Sequence, residues 1–130
     1  MVNDIIADSI TRIRNAYTRR KRDTILLYSK IVEKSLVILK EKKYIDNFKV
    51  VTQKDKKFLK VVLSYSDDVS PINEITRVSK PGRRVYKKYA DLKSFKSGYG
   101  TMVVSTNVGV ITNKQAFDQK VGGEVLFSVW

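Results

Sequence analysis

Hydrophobic positions in this chain follow two periods, and the order in which they switch sketches a fold. Ile6, Ile10, Ile13 and Tyr17 recur at i, i+4, i+7 and i+11, one face of a helix, with Asn3 or Asp4 placed to cap its start. Thr24 to Tyr28 is short and β-prone. Ser29 then stands before a second helical stretch in which Val32, Leu36 and Leu39 face inward while Lys34, Lys40 and Glu41 face outward. No glycine follows, so Lys42 or Lys43 has to end this helix; a left-handed conformation there costs a non-glycine residue about 1 kcal/mol. Tyr44 to Val51 and Phe58 to Tyr65 predict two strands joined by the polar Gln53 to Lys57, a β-hairpin.

Ser66 to Pro71, with two aspartates, two serines and a proline, has the composition of a linker. The expected organisation is therefore α+β in two small domains packed together. Residues 1–66 form an α-β-α-β-β unit, and residues 67–130 a mostly β unit with one short helix. In the second half, Ile72 to Val78 predicts a strand, and Ser79-Lys80-Pro81-Gly82-Arg83-Arg84 a basic turn. Asp91 to Ser97 suits one helical turn, and Gly98-Tyr99-Gly100 a turn or bulge without the context of a nucleotide-binding fingerprint. Thr112 stands three residues before Gln115, the capping-box spacing, and opens a helix over Asn113 to Lys120 that Gly122 and Gly123 should stop. Glu124 to Trp130 closes the chain as a strand with Val125, Phe127 and Val129 on one face.

Between these elements lies the stretch Val-Val-Ser-Thr-Asn-Val-Gly at 103 to 109. An apolar strand through Met102, Val103 and Val104 would deliver Ser105, Thr106 and Asn107 to the surface, and Gly109 would let a partner's backbone approach. Short polar tips of this kind can reach the edges and backbone of folded RNA. The same composition suits an ordinary turn, so the rest of the chain has to decide. Tyr86 among Arg83, Arg84, Lys87 and Lys88 interleaves an aromatic with cations, a pattern that stacks a base while holding phosphates; a tyrosine half-buried on a strand would look the same.

Charge tips the balance toward a polyanionic partner. Lys and Arg number 26 against 13 acidic residues, a net +13 with a pI near 10.0. Such charge supplies affinity through counterion release and no specificity. At 42% hydrophobic, the 130 residues can bury a core. With neither cysteine nor histidine, disulfides, thiolate chemistry, histidine-ligated zinc and the Ser-His triad are all excluded. No cofactor or metal is expected. The first residues lack the pattern of a signal peptide and no apolar run approaches a membrane span, so a cytoplasmic location is expected.

Thr-Arg-Ile-Arg-Asn-Ala at 11 to 16, Arg-Val-Ser-Lys-Pro-Gly at 77 to 82, Val-Val-Ser-Thr at 103 to 106 and Val-Gly-Gly-Glu-Val at 121 to 125 together resemble the small-subunit ribosomal protein S-eight family, across both halves and in order. The resemblance implies a primary binder of small-subunit ribosomal RNA in the central domain, helping to assemble the platform, beside neighbouring ribosomal proteins S-five and S-twelve. Position by position it implies an RNA-contacting loop at Ser105, Thr106 and Gly109, with Asn107 between them. Gly122, Gly123 and Glu124 match the segment packed beside that loop, Tyr86 a flanking aromatic next to Arg84, and Arg12 and Asn15 the RNA-facing side of the first helix. Three positions depart from the pattern: Asn107-Val108 where many relatives have Ser-Lys, Lys43 where glycine is common, and Ile5 where proline is frequent.

Two other classes fare worse. A hydrolase working through Ser105 or Thr106 has no histidine and no G-x-S-x-G elbow, leaving only a Ser-Lys dyad. A membrane-surface protein would need a basic amphipathic helix with Trp or Phe on its apolar face, and the first helix carries isoleucines at core spacing instead. The expectation is a non-enzymatic RNA-binding protein with no small-molecule substrate and no membrane partner. Repression of its own messenger and generic basic nucleic-acid binding stand as alternatives.

Overall fold

The protein is described by a computed structural model covering residues 4–130; the alternative cap Asn3 lies outside the described residues. The chain is mixed α+β and divides into two compact units, one through Ile72 and one over Asn73–Trp130.

In the first unit α1 spans Ile5–Thr18, and Asp4 caps it by accepting from the Ala7 N–H at 3.1 Å. The predicted stripe is the buried one: Ile6, Ile10, Ile13 and Tyr17 all lie in the core. Tyr17 reaches further than a packing residue. Its hydroxyl donates to the Tyr44 carbonyl at 2.6 Å and accepts from the Ser64 N–H at 3.1 Å, and burial pushes its pKa upward. β1 (Asp23–Leu27) leads to α2 (Lys30–Glu41), whose Val32, Leu36 and Leu39 are buried as expected. Ser29 holds the N-cap position, but its side chain makes no capping bond. After the Lys42 cap, Lys43 takes the left-handed conformation at φ 65°, the position where glycine would relieve strain.

β2 (Asn47–Gln53) and β3 (Lys56–Val62) correct the expected hairpin. The connection is Lys54-Asp55 alone, both residues left-handed at φ 50° and 62°, so Gln53, Lys56 and Lys57 belong to strands despite their polarity. A two-residue turn with two positive φ values follows the right-handed twist of the strands, which a longer polar loop need not do. The antiparallel sheet runs β1-β3-β2, and Leu26, Leu59 and Val61 are buried completely.

The second unit is organised around β8 (Gly123–Val129), which pairs with β6 (Thr101–Thr106) on one side. On its other side β8 pairs with both β4 (Ile75–Arg77) and β5 (Tyr86–Lys87), and β7 (Gly109–Thr112) extends the sheet beyond β6. The expected strand from Ile72 to Val78 is thus only three residues long, Ile75–Arg77, and the Asn73 and Glu74 N–H groups before it both donate to the Trp130 carbonyl. The helical turn expected at Asp91 to Ser97 is two short 3-10 turns, Tyr89–Leu92 and Lys96–Gly98.

The closing strand departs most from simple alternation. Val103 pairs with Phe127 and Val104 with Val125, so Leu126 is the extra residue of a β-bulge. Cross-strand partners share a face, so Val125 lies with Val104 while Phe127 and Val129 lie with Val103 and Thr101 on the other. Val125, Phe127 and Val129 therefore do not share one face, and all five residues from Val125 to Val129 are buried. Leu92, Met102, Val104, Ala116 and Val125 form one packed cluster beneath α3 (Asn113–Gln119). The capping box at Thr112 and Gln115 is formed in both directions. Asn113, buried, donates to the Leu92 carbonyl and accepts from the Met102 N–H, both at 3.0 Å, tying the 3-10 turn to the sheet. Lys120, left-handed at φ 57°, ends α3 in place of the expected glycines.

Candidate nucleic-acid interface

The residues singled out at 103 to 109 are not a loop for most of their length. Ser105 and Thr106 are strand residues, paired with Val110 and Gly109, and only Asn107-Val108 turns the chain. The positive φ of this hairpin falls on Gly109, at 126°, a conformation that other residues enter only with strain. The Thr106 hydroxyl is spent within the turn, accepting from the Val108 N–H at 3.2 Å and donating to the Gly109 carbonyl at 2.8 Å. Thr106 therefore shapes the tip, whereas Asn107 is exposed on it and the half-buried Ser105 sits at its base.

Register brings the remaining candidates of this unit together. Tyr86 on β5 pairs with Glu124 on β8, Glu124 with Ser105 on β6, and Ser105 with Val110 on β7, a row across four strands on one face of the sheet. Arg84 donates to Glu124 Oε2 at 3.1 Å, so the one carboxylate in the row is offset by a cation. Tyr86 at the end of the row is 70% exposed, which removes the buried-tyrosine reading and leaves a ring free to stack.

Gly122 and Gly123 serve this assembly rather than stopping α3. A Cβ on Gly123 would lie 2.2 Å from the Ser105 carbonyl oxygen, and one on Gly122 would lie 2.6 Å from that of Lys87. Only glycine lets β8 begin wedged between β5 and β6, and that wedge sets the row's spacing.

The basic excursion Lys80 to Arg84 leaves the sheet between β4 and β5. Lys80 and Arg83 exchange backbone hydrogen bonds at 2.9 Å, closing the turn. At its root Ser79 is fully buried, accepting from the Val85 N–H at 2.9 Å while its hydroxyl reaches the Val85 carbonyl at 3.3 Å. The exposed Lys80, Arg83, Arg84, Lys87 and Lys88 thus stand on a pinned frame, with no acidic residue between 80 and 88. Reading the sequence missed Ser79 as this anchor; its only local signal was a small polar residue directly before Lys-Pro-Gly.

Arg12 and Asn15 belong to the other unit, three residues apart on the exposed side of α1. Arg12 is partly committed: its Nε donates to Asp8 Oδ2 at 2.9 Å and an Nη to the Ile25 carbonyl at 3.4 Å. Arg19 continues the same helical face and Arg20 to Arg22 follow, all exposed.

Among the described residues no group of three or more His, Cys, Asp or Glu could hold a metal ion, and no helix is long and apolar enough to cross a membrane. Fold and surface define the class first: a basic two-unit α+β protein whose second sheet presents a row of aromatic, hydroxyl and paired charged groups beside a cationic loop closed by backbone hydrogen bonds. The chain belongs to the ribosomal protein S8 family, whose model matches residues 4–130. It is 58% identical to the small ribosomal subunit protein uS8 of a Nitratiruptor species, with 100% of both chains covered. The uS8 proteins of Nautilia profundicola and Campylobacter lari are 56% and 54% identical, again with 100% of each chain covered.

Proposed function

We propose that this chain is a structural constituent of the small ribosomal subunit and a primary binder of small-subunit ribosomal RNA in the central domain, where it helps assemble the platform. Residues 67–130 carry specificity, through Ser105, Asn107, Tyr86 and the frame set by Thr106, Gly109, Gly122, Gly123, Glu124 and Arg84. Residues 1–66 add phosphate contacts through Arg12, Asn15 and the cations at 19 to 22, and meet neighbouring proteins, S-five and S-twelve. Its work is binding in the ribosome, without catalysis, cofactor or small-molecule substrate.

The observation that carries this reading is the row Tyr86, Glu124, Ser105. It sets a stacking ring and a short hydroxyl at fixed separation beside cations whose only acidic neighbour in the row is already paired. Cations position RNA by its phosphates, and the neutral groups discriminate.

The test measures binding of the full chain to central-domain RNA and to an unrelated structured RNA at several salt concentrations. Tyr86→Ala should lose about 1 to 3 kcal/mol on the central-domain RNA, and Tyr86→Phe nearly nothing. Ser105→Ala should weaken the central-domain RNA more than the unrelated one with the salt slope unchanged, because a neutral hydroxyl releases no counterions. Equal affinity of the wild type for both RNAs would reduce the protein to a generic basic binder.

A further inference from the structure

Some six residues along β8 from Glu124, roughly 20 Å at the rise of a strand, lies a second aromatic site that plays no part in the row. Asn73, Lys96, Ser97, Tyr99 and Trp130 line a pocket of about 450 Å³. Trp130 is fixed on one edge: its indole Nε1 donates to Glu74 Oε2 at 3.3 Å, and Thr76 donates to the other oxygen of that carboxylate at 3.1 Å. Its backbone is fixed as well, accepting from Asn73 and Glu74 N–H at 2.7 and 3.0 Å. Over the indole face sits Lys96, its Nζ 4.8 Å from the ring centroid. Tyr99 beside it is 84% exposed, the most open of the large apolar side chains among the described residues.

The loop that carries Lys96 and Tyr99 is strained and held. Lys96, Ser97 and Gly98 are consecutive residues with positive φ, at 53°, 54° and 90°. The Phe95 carbonyl fixes the turn by accepting from Gly98 and Gly100 N–H, both at 3.1 Å. A Cβ on Gly100 would meet the Phe95 ring at 2.4 Å and the Trp130 Cβ at 3.2 Å, so glycine is what allows the loop to close against the tryptophan. Two non-glycine residues are thus held left-handed in this loop while its tyrosine stands in solvent.

We infer that this pocket is a second nucleotide site, which takes an unpaired RNA base between Trp130 and Tyr99 and the adjoining phosphate on Lys96. Trp130 and Tyr99 bring ring faces to the pocket, and a base presents its face only outside a duplex. An exposed ammonium over an aromatic ring is worth roughly a factor of two to five, whereas a base stacked on an aromatic is worth roughly five- to a hundredfold. An arriving base therefore displaces Lys96 from the indole and frees its charge for phosphate. Glu74 keeps its charge but is held at the indole edge by the Trp130 Nε1–H and by Thr76, rather than over the ring face that Lys96 covers. The inference rests on the chain being an RNA binder but uses no residue of the Tyr86 row.

Trp130 is the one tryptophan of the chain, so its emission reports on this pocket alone. The full-length protein is titrated with a short single-stranded oligoadenylate, with circular dichroism on every variant. A saturable quench is expected. Tyr99→Ala should weaken it at least about fivefold, the lower end of the stacking scale, and Lys96→Gln should weaken it as well, while Tyr99→Phe leaves it as in the wild type. No quench, or an undiminished quench in folded Tyr99→Ala and Lys96→Gln, would overturn the site. An equal quench by inorganic polyphosphate would also overturn it, by showing that only the cation responds, and a quench by polyglutamate without oligoadenylate would reassign the pocket to an acidic polypeptide. Oligoadenylate quenching that persists in a protein showing no preference for central-domain RNA would uphold this site while sinking the assignment of the row.

Discussion

The two hairpins of this protein solve the same geometric problem differently. In β2–β3 the reversal is made by Lys54 and Asp55, both left-handed, both exposed and neither a glycine. In β6–β7 the positive φ is confined to Gly109, and the Thr106 hydroxyl stitches the turn from both sides. The first turn carries two left-handed non-glycine residues with both side chains in solvent. The second removes strain and adds hydrogen bonds, as a turn must if Ser105 and Asn107 are to be held still for a partner.

The sharpest way to break the contrast is at the support of the second hairpin. Gly123→Val would drive a side chain into the Ser105 carbonyl, whose oxygen is already 2.2 Å from where a Cβ would sit. A loss of roughly 3 kcal/mol or more in denaturant unfolding is expected, together with loss of discrimination between RNAs. Unchanged stability would mean that β8 can pull away from β6 and that the row is not rigid.

Gly109→Val comes next, at about 2 kcal/mol. Nothing lies within 4 Å of its Cβ position, so the cost is conformational, from placing a β-branched residue at φ 126°. A variant that melts with the wild type would show that this backbone conformation carries no strain. Thr106→Ala should cost about 1 kcal/mol by freeing the Val108 N–H and the Gly109 carbonyl, and amide exchange at Val108 should quicken. A protected Val108 amide would show that the hydroxyl is dispensable to the turn.

The smallest effect runs the other way. Replacing Lys54→Asn and Asp55→Gly together gives the first hairpin residues that accept left-handed φ, and should stabilise the protein by up to about 1 kcal/mol with RNA discrimination untouched. Destabilisation, or altered discrimination, would show that this turn too is functionally shaped.

Local pattern alone determined much of the first unit and little of the site. The stripe through Ile6, Ile10, Ile13 and Tyr17, the Asp4 cap, the left-handed residue after α2 and the Thr112 capping box depend on residues within a few helical turns, so their spacing in the chain carries the information. The four motifs that resemble the ribosomal family carried the assignment as well, because order and spacing along a chain need no coordinates. Tertiary structure alone decided the rest. The bulge at Leu126, which sets Val125 on the opposite face from Phe127, exists only because β6 and β8 pair in that register. The joining of Tyr86, Glu124 and Ser105, the burial of Ser79 beneath the basic turn, and the need for glycine at 122 and 123 each involve partners on other strands or beyond a loop. Which backbone comes into contact with which is settled by packing of the whole sheet, and no periodicity within one segment can encode it.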